Sequence, residues 1–282
     1  MKQWLCLSAL VVCMLASGAA MEISEVDLLS SDIRLAPVQV CKNSDAAVYA
    51  ETLAAVQPII KEKGSEAVRC WYAMAVAIQY SYADNGAAFS DMLRVYNEAL
   101  TDVGIDPASN AALHWSMVMV NPWCTKIKDA NRIEAAIKYG EGKVPCTFER
   151  AQLMRVAGYP LEELEKAYAA VTSVPTRQYY LLQVYLDYGV QDKVASTFFQ
   201  YALSGALASN HALTLFDRAY PMILATSTDT AALVKKLEMI VRIYTVKYRA
   251  WEAQNPKQDA MNNPWHMFIN SVQDQINGLT GK

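Results

Sequence analysis

Four cysteines are the residues with the clearest potential for chemistry in this sequence. The chain of 282 residues has six cysteines, and two of them lie in an N-terminal segment that we expect to be removed. The remaining four are Cys41, Cys70, Cys124 and Cys146. Their spacings of 29, 54 and 22 residues lack the close ligand pairs of a zinc site, whereas an even number of cysteines in an exported chain favours disulfides. We therefore expect two disulfides and no metal site.

The stretch from Cys124 to Cys146 has the pattern of a helix followed by a return loop. A helix of about ten residues from Ala130 is about 15 Å long, and an extended return through 140–145 spans up to about 20 Å. The loop can therefore bring Cys146 back to Cys124, and closing it would stabilise the fold by about 3 kcal/mol in the chain-entropy model. Four cysteines allow three connectivities, of which we favour the sequential one.

A catalytic thiol is the alternative interpretation of Cys124. The chain has three histidines, His114, His211 and His266, and the fold would have to bring one of them to the thiol. His114 lies in an apolar stretch beside Trp115 with no carboxylate near it in sequence, which is typical of a hydrogen-bonded core histidine. The pairs to test for a hydrolase are His114 with Cys124, and His266 with its neighbours.

The sequence lacks the short motifs that mark common enzyme families. It has no G-x-G-x-x-G, G-x-x-x-x-G-K-[ST], G-x-S-x-G, H-E-x-x-H or C-x-x-C. Their absence weakens nucleotide-binding, serine hydrolase, zinc protease and thioredoxin-like interpretations, although a convergent site needs no motif. We expect no cofactor, and we single out no catalytic residue.

Trp265 and His266 form a polar and aromatic corner before the last predicted helix. Together with neighbouring asparagines they can make a lip that binds a sugar or a peptide. The alternative is a plain helix start, with Asn263 as cap and Pro264 in the first position.

Tyr179 and Tyr180 are the other candidate binding residues. The chain has 16 tyrosines, and several crowd one predicted hairpin. At helical spacing most tyrosines pack between helices with the hydroxyl at water or at a carbonyl. A minority can line a groove.

The clearest helix is predicted from Ala231 to Trp251. Its apolar side chains recur at steps of three and four, which is the spacing of one helical face: Leu233, Leu237, Ile240, Val241, Tyr244, Tyr248 and Trp251. The opposite face is basic and has only Glu238 against its cations, Lys235, Lys236, Arg242, Lys247 and Arg249. This face is either simply solvated or a docking strip for an acidic partner or polymer.

From Ser44 onward the pattern is helical almost throughout, with no convincing strand. We expect ten to twelve helices joined by short loops. Helix starts are expected at four prolines, Pro107, Pro122, Pro160 and Pro175, because proline is tolerated in the first turn. Helix ends are expected at four glycines, Gly140, Gly158, Gly189 and Gly205, and Asn85-Gly86 is expected to break the chain between two helices.

The N-terminus has the pattern of an export signal. Lys2 is followed by the apolar run 4–16 and by small residues at 17–20, so we expect cleavage near residue 20 and a periplasmic or secreted protein. No later segment is long enough to span a bilayer. Removing Lys2 changes the formal charge from −3 to 24 − 28 = −4, which argues against nucleic acid as a partner.

Three predicted helices share an aromatic residue three positions before a small or aliphatic one: Tyr96 with Ala99, Tyr168 with Val171, and Phe199 with Ala202. With Ala195 upstream of Phe199, the third is similar to the second helix of a tetratricopeptide repeat. Tyr179 and Leu182 fit the first helix of such a unit over 179–205, although Gln183 replaces the family's glycine and no proline closes the unit. The resemblance implies an α-solenoid whose concave face binds peptides or proteins.

These patterns predict an all-α protein of stacked antiparallel helical hairpins, a TPR-like array. We expect a signal peptide at 1–20, an extended arm at 21–43 and a single helical domain at 44–282. The expected function is binding of a peptide, a protein or an envelope polymer by a non-catalytic scaffold or adaptor. The alternatives are an extracytoplasmic hydrolase with a fold-assembled site, and a purely structural component of an assembly. The sequence fixes neither the ligand nor the oligomeric state.

Overall fold

The computed structural model describes residues 46–83, 87–127 and 130–281. In these ranges the chain forms helices and no strand, so the predicted all-α class is confirmed. The described residues form twelve α-helices, within the predicted ten to twelve: α1 (Ala46–Lys63), α2 (Glu66–Ala83), α3 (Phe89–Asp102), α4 (Asn110–Ile127), α5 (Ala130–Tyr139), α6 (Thr147–Val156), α7 (Leu161–Ala169), α8 (Val174–Tyr188), α9 (Gln191–Leu203), α10 (Ser209–Thr226), α11 (Thr230–Gln254) and α12 (His266–Thr280). Short 3-10 turns lie at Val144–Cys146 and Ala260–Asn262.

Several predictions fall on residues outside the described ranges. They are the signal peptide (1–20), the extended arm (21–43), Cys41, the side chain of Cys124 and the break at Asn85-Gly86. Within the described ranges, no helix combines the length and the apolar character needed to cross a membrane.

The helix ends follow the predicted glycines and prolines. Gly189 ends α8 in the left-handed region, with φ of 67°, and its N–H donates to the carbonyl of Tyr185. Pro160 is the residue before α7, and Pro175 lies in the first turn of α8. At both prolines the missing N–H has no intrahelical acceptor to lose.

The predicted helix start at Pro122 is wrong. Helix α4 runs without interruption from Asn110 to Ile127 and contains that proline. Pro58 in α1 and Pro221 in α10 are interior in the same way. An interior proline disfavours a helix by about 3 kcal/mol, so tertiary packing must outweigh this local preference. For α4 that packing is against α2, α5 and α6.

The chain divides into two compact units, at residues 1–159 and 160–282. We call their described parts the N-unit (46–159, α1–α6) and the C-unit (160–281, α7–α12). Contact units of this kind are compatible with one domain or two, so the single domain over 44–282 stays a prediction. The helices of each unit pack against one another, which is compatible with a helical repeat fold. The tetratricopeptide-like arrangement stays a prediction.

Helices α2 and α4 organise the N-unit. Helix α2 packs against α1, α3 and α4, and α4 packs against α5, α6 and the 3-10 turn before α6. One apolar core lies where α1 meets α2 and the end of α3, and it is formed by Leu53, Val56, Ile60, Val68, Tyr72, Ala75 and Val103.

Four helices of the C-unit pack in a closed cycle. Helix α9 contacts α10 and α11, and α12 also contacts α10 and α11. Each helix contributes one fully buried aromatic side chain to the centre: Phe198, Phe216, Tyr244 and Phe268. The rings of Phe216 and Phe268 lie 6.0 Å apart, and those of Phe268 and Tyr244 lie 5.1 Å apart. We call this set the aromatic centre.

Candidate functional site

A groove in the C-unit is the best candidate for a binding site. Helix α9 forms one side of it. The residues that join α10 to α11, together with the start of α11, form the other side. Its volume is about 550 Å³, within the range of ligand pockets in proteins. We call it the α9–α11 groove.

Helix α9 supplies one wall of the groove through two rows of side chains at a spacing of four residues. This spacing places residues one above the other on a helix. One row is polar and consists of Asp192, Ser196 and Gln200, and the other is apolar and consists of Ala195, Phe199 and Leu203. Phe199 is buried and Gln200 is exposed, so the groove has an apolar floor and a polar rim.

The opposite wall is the turn from α10 into α11. Asp229 is the N-cap of α11, and its side chain accepts a hydrogen bond of 2.9 Å from the N–H of Ala232. The hydroxyl of Thr226 donates to the carbonyl of Met222 at 3.0 Å. Because Asp229 and Thr226 make these internal bonds, they hold the wall in place.

Other polar groups of the rim are available to a ligand. The side chains of Asp192, Gln200 and Thr228 make no hydrogen bond within the described chain. Lys236 places its ammonium 4.9 Å from the centre of the Phe199 ring, a cation–π contact that orients the cation beside the floor. The groove therefore offers a carboxylate, an amide, a hydroxyl and a cation around an apolar surface.

The groove is lined by polar and apolar side chains that can contact a ligand. Neither a histidine nor a cysteine is among the residues that line the groove. Across the described ranges, no three His, Cys, Asp or Glu side chains are placed to hold a metal ion.

A second depression lies along α3 in the N-unit and has a volume of about 620 Å³. Two of its three charged side chains pair with each other, because Arg94 donates to Glu98 at 2.8 Å. The hydroxyl of Thr101 is likewise bound, to the carbonyl of Asn97 at 2.9 Å. The depression therefore offers a ligand fewer unpaired groups than the α9–α11 groove.

Tyr179 and Tyr180 lie apart from the α9–α11 groove, in an aromatic cluster between helices. The Tyr179 ring contacts Tyr201 of α9 at 6.2 Å and His211 of α10 at 5.4 Å. The Tyr180 ring stacks on Tyr168 of α7 at 6.0 Å. Both side chains are half-buried, so the structure places them in the packing between helices, and their role as binding residues stays a prediction.

Trp265 and His266 lie at the start of α12. Trp265 is buried and packs on Tyr244 at 4.9 Å. Asn263 accepts a hydrogen bond from the N–H of Trp265 at 3.0 Å and donates to the carbonyl of Tyr248, also at 3.0 Å. His266 is half-buried beside Asn270. Asn263 thus anchors the entry to α12, and Trp265 faces the core.

Cys70 and Cys146 are buried free thiols in this structure, and the predicted disulfides are not seen. The thiol of Cys146 donates to the carbonyl of Leu113 at 3.1 Å. Burial raises the pKa of both thiols to about 11, which makes the reactive thiolate scarce near neutral pH. Neither thiol is suited to act as a nucleophile in this state.

His114 has a carboxylate beside it in the fold, that of Glu149, although none lies near it in sequence. Its Nδ1 lies 3.4 Å from Glu149 Oε1 and 3.2 Å from the carbonyl oxygen of Pro145. The hydrogen bond to Glu149 raises the pKa of His114 above its ordinary value. The contact arises because α4 packs on α6 and on the turn before it. It could not be predicted from sequence, because His114 and Glu149 are 35 residues apart.

Comparisons with known proteins found no similar protein. No family model matches the chain, no curated protein matches it, and no solved structure matches it.

Sequence reasoning missed the α9–α11 groove. The polar row on α9 was present as a signal, since Asp192, Ser196 and Gln200 follow one another at steps of four. It was indistinguishable from a solvated helix face. Only the fold brings Thr228 and Lys236 opposite that row.

Proposed function

We propose that this protein is a non-catalytic binding protein that holds a short peptide segment of a partner in the α9–α11 groove. The observation that carries the proposal is the apolar floor around Phe199, bordered by polar side chains without internal hydrogen bonds. Such groups are solvated when the groove is empty, and a ligand that replaces the water must pair with them.

The mixture of groups favours a peptide. A peptide backbone presents N–H and C=O groups in alternation, which the carboxylate of Asp192, the hydroxyl of Thr228 and the amide of Gln200 can pair with. Its side chains can cover the floor. The groove has Lys236 as well as Asp192, so a strongly charged polymer of one sign fits it less well.

The proposal includes a tetratricopeptide-like use of the helices and an extracytoplasmic location. Stacked hairpins place side chains from several helices along one surface, and a groove between α9 and α11 is compatible with such a use. The N-terminal signal pattern supports a periplasmic or secreted protein.

The test is selection of peptides from a random library displayed on phage, followed by titration of the selected peptides against the full protein. Replacing Gln200 or Thr228 by arginine, Gln200→Arg or Thr228→Arg, fills the rim and should weaken binding by about tenfold or more. Gln258→Arg makes the same kind of change at an exposed position in the segment between α11 and α12, and should leave affinity unchanged.

The proposal is overturned if selection yields no peptide that binds. It is equally overturned if Gln200→Arg and Thr228→Arg bind the selected peptides as tightly as the unmodified protein does. Circular dichroism of each variant checks that the helices are intact.

A further inference from the structure

Helix α11 has an exposed row of side chains with the spacing of a coiled-coil seam. The row advances by four, three, four, three and four residues and consists of Lys235, Met239, Arg242, Val246, Arg249 and Ala253, all of them exposed. We call it the α11 seam. In heptad terms Met239, Val246 and Ala253 share one position, and the three cations share the other.

The α11 seam lies opposite the side by which α11 joins its own unit. At 100° per residue, the centres of the seam residues fall within about 80° of one another. The buried side chains fall on the other side of the helix and are Leu233, Leu237, Ile240 and Tyr244. The seam is therefore not a continuation of the core.

The apolar members of the seam are unusually exposed for their size. Met239 is 50% exposed and Val246 is 67% exposed. A single exposed apolar side chain is ordinary. Here two of them recur after seven residues, between cations that also recur after seven residues. A repeat of seven residues is the pattern by which one helix packs along another.

The cations of the seam are unpaired in the part of the chain that the structure describes. Lys235, Arg242 and Arg249 make no ion pair among the described residues. Two acids lie beside the seam. Glu238 lies one turn before Arg242 and makes no salt bridge with it, and Glu252 follows Arg249 by three residues and bonds to the hydroxyl of Tyr248. Two neighbouring lysines differ, because Lys236 and Lys247 lie over the rings of Phe199 and Trp265.

We propose that the α11 seam docks an acidic amphipathic helix of a partner protein. The partner helix would alternate apolar residues, which cover Met239 and Val246, with acidic residues that pair with Lys235, Arg242 and Arg249. Apolar contact at one heptad position and opposite charge at the other fixes both register and partner choice. The seam from residue 235 to residue 253 is about 27 Å long, enough for nearly three heptads.

Two other occupants fit the seam less well. A second copy of α11 would bring cations against cations in a parallel pair, and cations against Met239 and Val246 with no acidic partner in an antiparallel pair, and both are unfavourable. A membrane surface would have to accept arginine in the middle of the apolar row, whereas membrane-binding helices have a wide apolar face with cations at its borders. The charge and the narrowness of the seam both favour a protein helix.

The test is a titration of the full protein with two synthetic helical peptides of about three heptads each. One peptide has leucine and glutamate at the two heptad positions that face the seam, and the other has leucine and lysine. We expect the glutamate peptide to bind, with affinity that falls as salt rises, and the lysine peptide not to bind. Arg242→Glu combined with Arg249→Glu should weaken the glutamate peptide by about tenfold or more and allow the lysine peptide to bind.

A matched control is Lys257→Glu, which changes charge by the same sign at an exposed position outside the seam and should have no effect on either peptide. The proposal is overturned if the glutamate peptide does not bind, or if the double variant binds it equally well. Binding of the protein to vesicles of anionic phospholipid in place of the peptide overturns it in favour of a membrane surface. These outcomes are independent of the α9–α11 groove, because no seam residue lines that groove.

Discussion

The two units bury their tyrosines in different surroundings. In the N-unit, polar side chains converge on two successive carbonyls of α4: the hydroxyl of Tyr96 donates to Ala112 at 3.0 Å, and Cys146 and Ser116 both donate to Leu113. In the C-unit, Tyr244 packs between the rings of Phe268 and Trp265, and its hydroxyl bonds to the backbone at Ala202 and Leu207.

This difference indicates how each unit is stabilised. Buried polar groups stabilise a fold only when each has its partner, so the N-unit depends on the geometry of α4 and of the elements around it. Large buried rings stabilise by area and contact. The C-unit therefore depends more on the volume of a few side chains, and substitutions should affect the two units differently.

The largest effect is expected from Phe216→Ala in the aromatic centre. Phe216 is 1% exposed and contacts both Phe198 and Phe268. Its truncation leaves a cavity between three helices and should lower the free energy of unfolding of the C-unit by about 3 to 5 kcal/mol. Urea unfolding followed by tyrosine and tryptophan fluorescence measures the loss.

Two controls sharpen this prediction. Leu224→Ala lies on the same helix but at a 45% exposed position, and it should change stability by less than about 0.5 kcal/mol. Met117→Ala in the N-unit removes a fully buried but flexible side chain. If Phe216→Ala destabilises no more than Leu224→Ala does, the aromatic centre is not what stabilises the C-unit.

A smaller effect, unequal between the units, is expected when a buried tyrosine hydroxyl is removed. Tyr244 donates to the carbonyl of Ala202 and accepts from the N–H of Leu207, both at 3.1 Å. Tyr244→Phe leaves the buried N–H of Leu207 without that acceptor, which should cost about 1 to 3 kcal/mol. Tyr96→Phe removes a donor from a carbonyl within α4, and this should cost about 1 kcal/mol.

The measurement is the midpoint of urea unfolding for each variant, together with amide hydrogen exchange at Leu207. Exchange at that amide should become faster in Tyr244→Phe and stay unchanged in Tyr96→Phe. Equal losses in the two variants, with no change at Leu207, would show that the hydroxyl of Tyr244 is not the acceptor on which that amide depends.

The sequence predicted the helices well because their ends are locally encoded. Gly189 adopts a positive φ that other residues avoid, and Pro160 cannot donate a hydrogen bond within a helix. Both residues therefore mark a helix boundary regardless of how the helix packs. The apolar face of α11 was likewise predicted from sequence, because Leu233, Leu237 and Ile240 recur at helical spacing. The structure buries all three. Pro122 shows the limit of such signals, because packing kept α4 intact through it.

The candidate sites were less predictable because they join residues that are distant in sequence. Gln200 and Thr228 line the same groove only because α9 packs against α11. Neither segment of the sequence indicates that the other lies next to it. The basic face of α11 was recognised from sequence, but the sequence did not show which of its cations contact aromatic rings and which stay exposed. Only the packing separates Lys236, which lies over Phe199, from Lys235, which stays exposed in the seam.

The smallest expected effect is a pH dependence of the N-unit that arises at His114. The pKa of His114 is raised, first by its hydrogen bond to Glu149. A raised pKa in the folded state contributes stability that is fully present below the unfolded value of about 6.5 and is lost as pH rises through the folded value. Because His114 is 40% exposed, screening should limit this contribution to about 0.5 kcal/mol.

Glu149→Gln tests this pairing with little change of shape. The described groups that face His114 are the carboxylate of Glu149, the carbonyl of Pro145 and the ring of Trp115. Of these, Glu149 carries the charge, and Glu149→Gln removes it. The difference in unfolding free energy between the unmodified protein and the variant should be larger near pH 6 than near pH 8. NMR titration of His114 should show a lower pKa in the variant. A pKa of His114 that is unchanged by Glu149→Gln would mean that the two side chains do not interact in solution, and that the polar contacts of α4 in the N-unit end at Tyr96, Cys146 and Ser116.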